Sequence, residues 1–93
     1  MSSGPIIIPV LEPLYCRAMY DFNPVTSSEL LVRKNDIVEI LAKAENGWWD
    51  GYNALSQKRG WLPSNFVCKI SSEQAERAVA AQGPTLAPVQ ETF

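Results

Sequence analysis

The chain has no histidine among its 93 residues. Imidazole therefore supplies neither a general base nor a metal ligand. The serines and thiols that remain as candidate nucleophiles have no activating base beside them in the sequence. Neither a glycine-rich phosphate loop nor a metal-ligand spacing is present, so no cofactor and no enzymatic activity are expected. Basic excess is also lacking: 8 Lys and Arg stand against 10 Asp and Glu, a net charge of −2. Nucleic-acid binding depends on clustered positive charge, which excludes that class of partner. No apolar run is long enough to cross a bilayer, and Ile6-Ile7-Ile8 is bracketed by Pro5 and Pro9. The start lacks a basic region leading into a long apolar one, so no secretory signal and a cytoplasmic location are expected. No two prolines are three residues apart, so the chain carries no PxxP ligand of its own.

Cysteine is scarce, with two in the chain. If Ala18 faces inward on the first strand, Cys16 does too, whereas Cys68 follows an inward Val67 and faces out. Opposed Cβ directions disfavour a disulfide, so both are read as free thiols in a reducing compartment, with Cys16 a small core residue. The length suits one domain, expected to be a monomer, with residues to spare at both ends.

Residues 1–14 hold Pro5, Pro9 and Pro13 among Ile, Val and Leu. That spacing prevents a helix and favours extended backbone. The segment reads as a proline-containing extension: a tail, an extra edge segment, or a patch clinging to the domain. From Tyr15 short β-like runs follow. They are Cys16–Tyr20, Ile37–Leu41, Trp48–Asn53, Arg59–Leu62 and Val67–Ile70. Asp21–Glu29 is polar and reads as a long hairpin loop. In the turn Arg33-Lys34-Asn35-Asp36, Asn35 can take the positive φ usually given to glycine. Ala42–Gly47 and Ala54–Lys58 are further turns. Five short strands at roughly ten-residue spacing indicate an all-β fold, a small barrel or sandwich. Ala18, Leu30, Val32, Val38, Ile40, Leu62 and Val67 are the expected core, with a neighbouring ring filling the space beside Gly51.

Beyond Ile70, Ser71 and Gln74 have the spacing of a capping box ahead of good helix formers. A short helix is expected over 71–82, with an alanine-rich face too small to dock firmly. Residues 83–93 read as a disordered tail.

What is present in excess is exposed-looking aromatic surface. Trp48 and Trp49 stand side by side, and strand alternation sends one ring to each face of a sheet. Trp61, Pro63 and Phe66 follow, giving flat, rotamer-poor surface that suits an extended proline-rich ligand.

Four segments together resemble the Src-homology-3 (SH3) domain family, over Tyr15 to Ile70. Ala18-Met19-Tyr20-Asp21-Phe22 is similar to the family's ALYDY motif. Glu29-Leu30 with Arg33-Lys34-Asn35-Asp36 resembles the loop end and diverging turn. Gly47-Trp48-Trp49 is the tryptophan doublet, and Gly60-Trp61-Leu62-Pro63-Ser64-Asn65-Phe66-Val67 resembles the closing motif. A weaker likeness links Gly47–Gly51 and Arg59–Trp61 to the amino-terminal SH3 domains of fungal Ras exchange factors. With the Met start, it suggests the first piece of a larger signalling protein.

The resemblance implies a five-stranded barrel, with a short 3-10 turn before the last strand. It also implies a non-catalytic module that docks proline-rich segments as an adaptor or tether, with a regulatory domain contacting its own parent enzyme or a folded partner as the alternative. Carried over, Tyr20, Phe22, Trp48, Pro63 and Phe66 line two slots for the ligand's prolines. Asn65 and the Trp48 indole hydrogen-bond ligand carbonyls, and Glu29 pairs with a ligand Arg or Lys. Trp61 either extends the pocket beside Trp48 or shields the sheet, and Trp49 is structural. Phe22 and Phe66 stand where the family often has tyrosine, which removes two hydroxyl contacts of about 1 kcal/mol each. Glu29 is the one firmly placed acid, with Asp50 or Glu45 as candidate helpers. Weak binding to short peptides and modest preference for a basic anchor follow.

Overall fold

The computed structural model describes residues 4–82. The expected tail over 83–93 lies outside these. The elements in chain order are β1 (Ile7–Pro9), β2 (Tyr15–Ala18), β3 (Ile37–Ala44), β4 (Trp48–Asn53) and β5 (Lys58–Pro63). A 3-10 turn (Ser64–Phe66), β6 (Val67–Ile70) and α1 (Ser72–Gln82) complete it. All the strand pairs are antiparallel, in the order β5-β4-β3-β2-β6, with β1 added alongside β3. The sheet is thus all-β but six-stranded and not closed, one strand more than expected.

The extra strand comes from the proline-containing extension. Ile7, Ile8 and Pro9 pair with Ala44, Lys43 and Ala42. This partner explains why β3 runs to Ala44, through residues expected to turn. Its first half pairs with β2, its second half with β1, and a register shift between Ile40 and Ala42 bends it between the two.

The core contains the seven expected side chains, Ala18, Leu30, Val32, Val38, Ile40, Leu62 and Val67, together with Cys16. Within the strands, such alternation of faces is what one buried side requires. Cys68 faces the other side, one register step from Cys16, and both thiols are free. Burial raises the Cys16 pKa from 9.0 to about 11, with the Cys68 thiol adding to the effect. Gly51 does sit over the core, but the space beside it belongs to aliphatic side chains, not a ring. A Cβ there would lie 2.6 Å from Val38 Cγ1 and 3.1 Å from Leu62 Cδ2.

Asn35 takes the left-handed conformation expected of it (φ 78°), and Gln57 does likewise (φ 64°) in the turn before β5. Asn53 is a buried amide that organises both turns. Its Nδ2 donates to Asp36 Oδ2 at 2.9 Å, while its Oδ1 accepts from the Leu55 and Ser56 N–H groups.

The capping box forms reciprocally: Gln74 N–H donates to Ser71 Oγ (3.0 Å) and Ser71 N–H to Gln74 Oε1 (2.9 Å). Contrary to expectation, α1 docks. Ala75 is buried against Ile37 and Ile70, with Tyr15, Ala54, Ala78 and Val79 around it. The smallness of the alanine face is what permits this approach. It also leaves an apolar cavity of about 420 Å³ beside Tyr15, Tyr52, Ala75 and Val79.

Candidate functional site

The long segment between β2 and β3 is held to the sheet near its middle, at Ser28 and Leu30. Trp61 N–H donates to the Ser28 carbonyl at 2.9 Å, and Leu30 N–H to the Trp61 carbonyl at 2.8 Å. To either side of these, Phe22 and Val32 exchange backbone hydrogen bonds. Met19 N–H reaches the Phe66 carbonyl at 2.8 Å, which fixes the 3-10 turn beside the loop's start. On the far side, Ser64 N–H donates to the Gly47 carbonyl at 2.9 Å and joins that turn to the loop before Trp48. Backbone hydrogen bonding (rather than side-chain packing) therefore sets the frame of the site.

On this frame four rings form an unbroken edge-to-face row. Tyr20 and Phe66 have centroids 5.6 Å apart, Phe66 and Phe22 5.6 Å, and Phe22 and Trp48 5.9 Å. Edge-to-face geometry leaves gaps between successive rings instead of a flat stack. Tyr20 is 57% exposed, and Phe22, Trp48 and Phe66 are half-buried. Pro63 pairs with Trp48 across β4 and β5, and Asn65 is exposed in the 3-10 turn. Among the described residues, no hydrogen bond engages the Asn65 side chain or the Trp48 indole N–H.

Trp48, Asp50 and Tyr52 share one face of β4, so Trp49 lies on the other. There it packs against the core, with Lys43 Nζ 4.4 Å from its ring centroid. Trp61, half-buried on β5, lies next to Trp48 in a cavity wall. Trp61 and Trp48 line a cavity of about 240 Å³ together with Glu29 and Ser28. Pro5, Ile7, Ala44 and Asn46 complete its wall.

Glu29 is half-buried, and its Oε1 accepts the Val25 N–H at 2.7 Å. The carboxylate is thereby oriented by its own loop while still lining the cavity. The Asp50 carboxylate is already paired within the domain. Arg59 binds both its oxygens, Nε to Oδ1 at 3.2 Å and Nη2 to Oδ2 at 2.7 Å, and this carboxylate holds the guanidinium pKa above its usual value. Glu45 is exposed in the turn before Trp48. Sequence reasoning missed Pro5, Ile7, Ala44 and Asn46. Only the extended, apolar character of the extension hinted that it could pair with a strand.

The SH3 domain family model matches residues 17–64, and the chain belongs to that family. The SH3 domain of yeast NBP2 is 37% identical, with a TM-score of 0.58, covering 62% of this chain and 98% of that one. The carboxy-terminal SH3 domain of myosin IB from Entamoeba histolytica, bound to a peptide of EhFP10(GEF), is 29% identical with a TM-score of 0.58. It covers 67% of this chain and all of the other. Among curated proteins, Rho guanine nucleotide exchange factor 6 of Homo sapiens is 36% identical over 81 residues, covering 86% of this chain and 10% of that protein. CD2-associated protein of Mus musculus is 33% identical over 78 residues, covering 75% and 12%. The chain thus spans only about a tenth of the curated relatives it matches. SH3 domains are non-catalytic protein-interaction modules of adaptor and signalling proteins. Among the described residues, no helix is long and apolar enough to cross a membrane.

Proposed function

We propose that this domain docks proline-rich segments in polyproline II conformation, tethering its parent protein to a cytoplasmic partner. The observation that carries this reading is the row Tyr20–Phe66–Phe22–Trp48, four aromatic rings kept at the surface of a small domain. Polyproline II helices present proline ridges at low entropic cost, and gaps between edge-to-face rings accept them. Proline substitution leaves ligand carbonyls unpaired, for which Asn65 and the Trp48 indole are fitting donors. The cavity walled by Glu29, Trp48 and Trp61 suits an Arg or Lys, whose charge meets the carboxylate and whose stem lies on indole. The peptide-bound myosin IB relative supports a peptide as the ligand class.

A ¹⁵N HSQC titration with proline-rich peptides, with and without a basic anchor, tests this. Shifts are expected at the Trp48 indole, Glu29, Asn65 and Phe66. Trp48→Ala should weaken binding by at least ~2 kcal/mol with the fold intact. Undiminished peptide binding by that variant would refute the groove. The match to an exchange factor over 81 residues favours one alternative, regulation of the parent enzyme. Binding to a parent fragment without any proline-rich peptide would mark that role.

A further inference from the structure

We infer that β1 belongs to the ligand site: Pro5 and Ile7 form an apolar wall of the anchor pocket that selects ligands carrying an apolar residue just beyond the basic anchor. The inference rests on the peptide-groove reading above.

The strand is fixed to β3 along its whole length. Its pairing with Ala42–Ala44 is extended at one end by Glu45 N–H donating to the Ile6 carbonyl (2.9 Å). At the other end Val10 N–H donates to the Leu41 carbonyl (2.8 Å). Alternation along β1 places Pro5 and Ile7 toward the cavity, with Ile6 and Ile8 on the opposite side. The cavity is chemically divided. Glu29, Ser28 and Asn46 make a polar side, Pro5, Ile7 and Ala44 an apolar one, and Trp48 and Trp61 serve both.

A basic anchor satisfies only the polar side. The charged head of a basic anchor meets Glu29, which leaves the Pro5, Ile7 and Ala44 side of the cavity of about 240 Å³ without a polar partner to offer it. Ile7 stays 50% exposed at its edge, an apolar surface beside a binding site that is covered only by a further ligand group. The row of rings ends at Trp48, where this cavity begins, so a segment leaving the proline slots passes the anchor position and then meets Ile7.

The test uses the full chain and two PxxP peptides with an Arg anchor, differing only in Leu or Ser at the position beyond the anchor, away from the PxxP core. Calorimetry should show the Leu peptide binding about fivefold tighter, as burial of part of one aliphatic side chain implies. Ile7→Ser should abolish that preference, so that the Leu and Ser peptides bind the variant equally. Ile8→Ser, on the opposite side of the same strand, should preserve the preference and controls for loss of the strand itself. A Leu-to-Ser ratio that survives Ile7→Ser would overturn the inference, as would equal affinity of both peptides for the unaltered domain. In those cases both peptides still bind and still lose affinity with Trp48→Ala. Failure of both peptides to bind at all would instead remove the groove reading, and this inference with it.

Discussion

Gly60 is where the sheet and the long loop touch, and Gly60→Ala should damage both stability and the pocket. Gly60 lies opposite Gly51 across β4 and β5, so the sheet is thin at this point. The loop end crosses directly above. A Cβ on Gly60 would sit 2.9 Å from the Glu29 carbonyl carbon, 2.9 Å from Leu30 N and 3.0 Å from Ser28 O. Non-bonded carbons prefer about 3.5–4.0 Å, so the loop would have to lift by more than about half an ångström. All three obstacles are backbone, and no side chain can rotate away. The same residues make the two hydrogen bonds that tie the loop to Trp61, at 2.9 and 2.8 Å. Overpacking typically costs about 1–3 kcal/mol, and strain on two hydrogen bonds favours the upper half, about 2.5 kcal/mol. For a domain of this size that lowers Tm by roughly 10–20 °C, measurable by thermal and urea unfolding followed by tryptophan fluorescence. Glu29 moves with the loop, so affinity for an Arg-anchored peptide should fall further than affinity for a neutral one. A stability loss below about 0.5 kcal/mol would refute the claim that the loop rests on this glycine.

Glu29→Gln should weaken Arg-anchored peptides about fivefold and neutral ones little, since Gln can still accept the Val25 N–H that shapes the loop. Equal losses in calorimetry would remove Glu29 as the selective contact. In the native state Cys68 should react with a maleimide while Cys16, 1% exposed, is protected; mass mapping of the adduct distinguishes them. Because folding raises the Cys16 pKa from 9.0 to about 11, its contribution is complete below pH 9 and falls as pH rises toward 11, by roughly 3 kcal/mol in all. Urea midpoints across that range should fall more steeply than those of Cys16→Ala; matching slopes would refute the burial effect. Asn53→Ala should cost about 3 kcal/mol, because it leaves the Leu55 and Ser56 amides and the Asp36 carboxylate without their partner. A loss under about 1 kcal/mol in urea unfolding would show that water replaces the amide.

The residues facing the core were legible in the sequence because alternation ties each side chain's face to its place in a strand. The aromatic row was legible for a related reason, since Tyr20, Phe22, Trp48 and Phe66 lie in local motifs with fixed spacing. What escaped depends on partners distant in sequence. Nothing local marks Asp50 as the partner of Arg59, because the pair forms only across the β4–β5 register. The docking of α1 was missed since a small alanine face looks weak in isolation, yet that smallness brings the helix onto Ile37 and Ile70. Gly60 reads as one more motif glycine until the loop backbone is placed over it.

The length of β3 connects the extension to the groove. Without β1, residues beyond the register shift near Ile40 would have pairing only from β4, and the turn Glu45–Gly47 would project from a free edge. β1 adds one bond to a turn that residues of the domain itself also hold. Ile6 holds Glu45, Ala44 accepts the Gly47 N–H at 3.2 Å, the Gly47 carbonyl receives Ser64, and Asn46 Oδ1 accepts the Trp48 N–H at 3.1 Å. Each of these bonds bears on the orientation of Trp48, the ring shared by the aromatic row and the anchor cavity. On the proposed groove reading, a ligand meeting a turn already ordered loses less conformational entropy on binding. The proposal thus gives the extension two separable contributions, the backbone bond from Glu45 to Ile6 and the lining of the cavity by Ile7. Only the second is lost in Ile7→Ser.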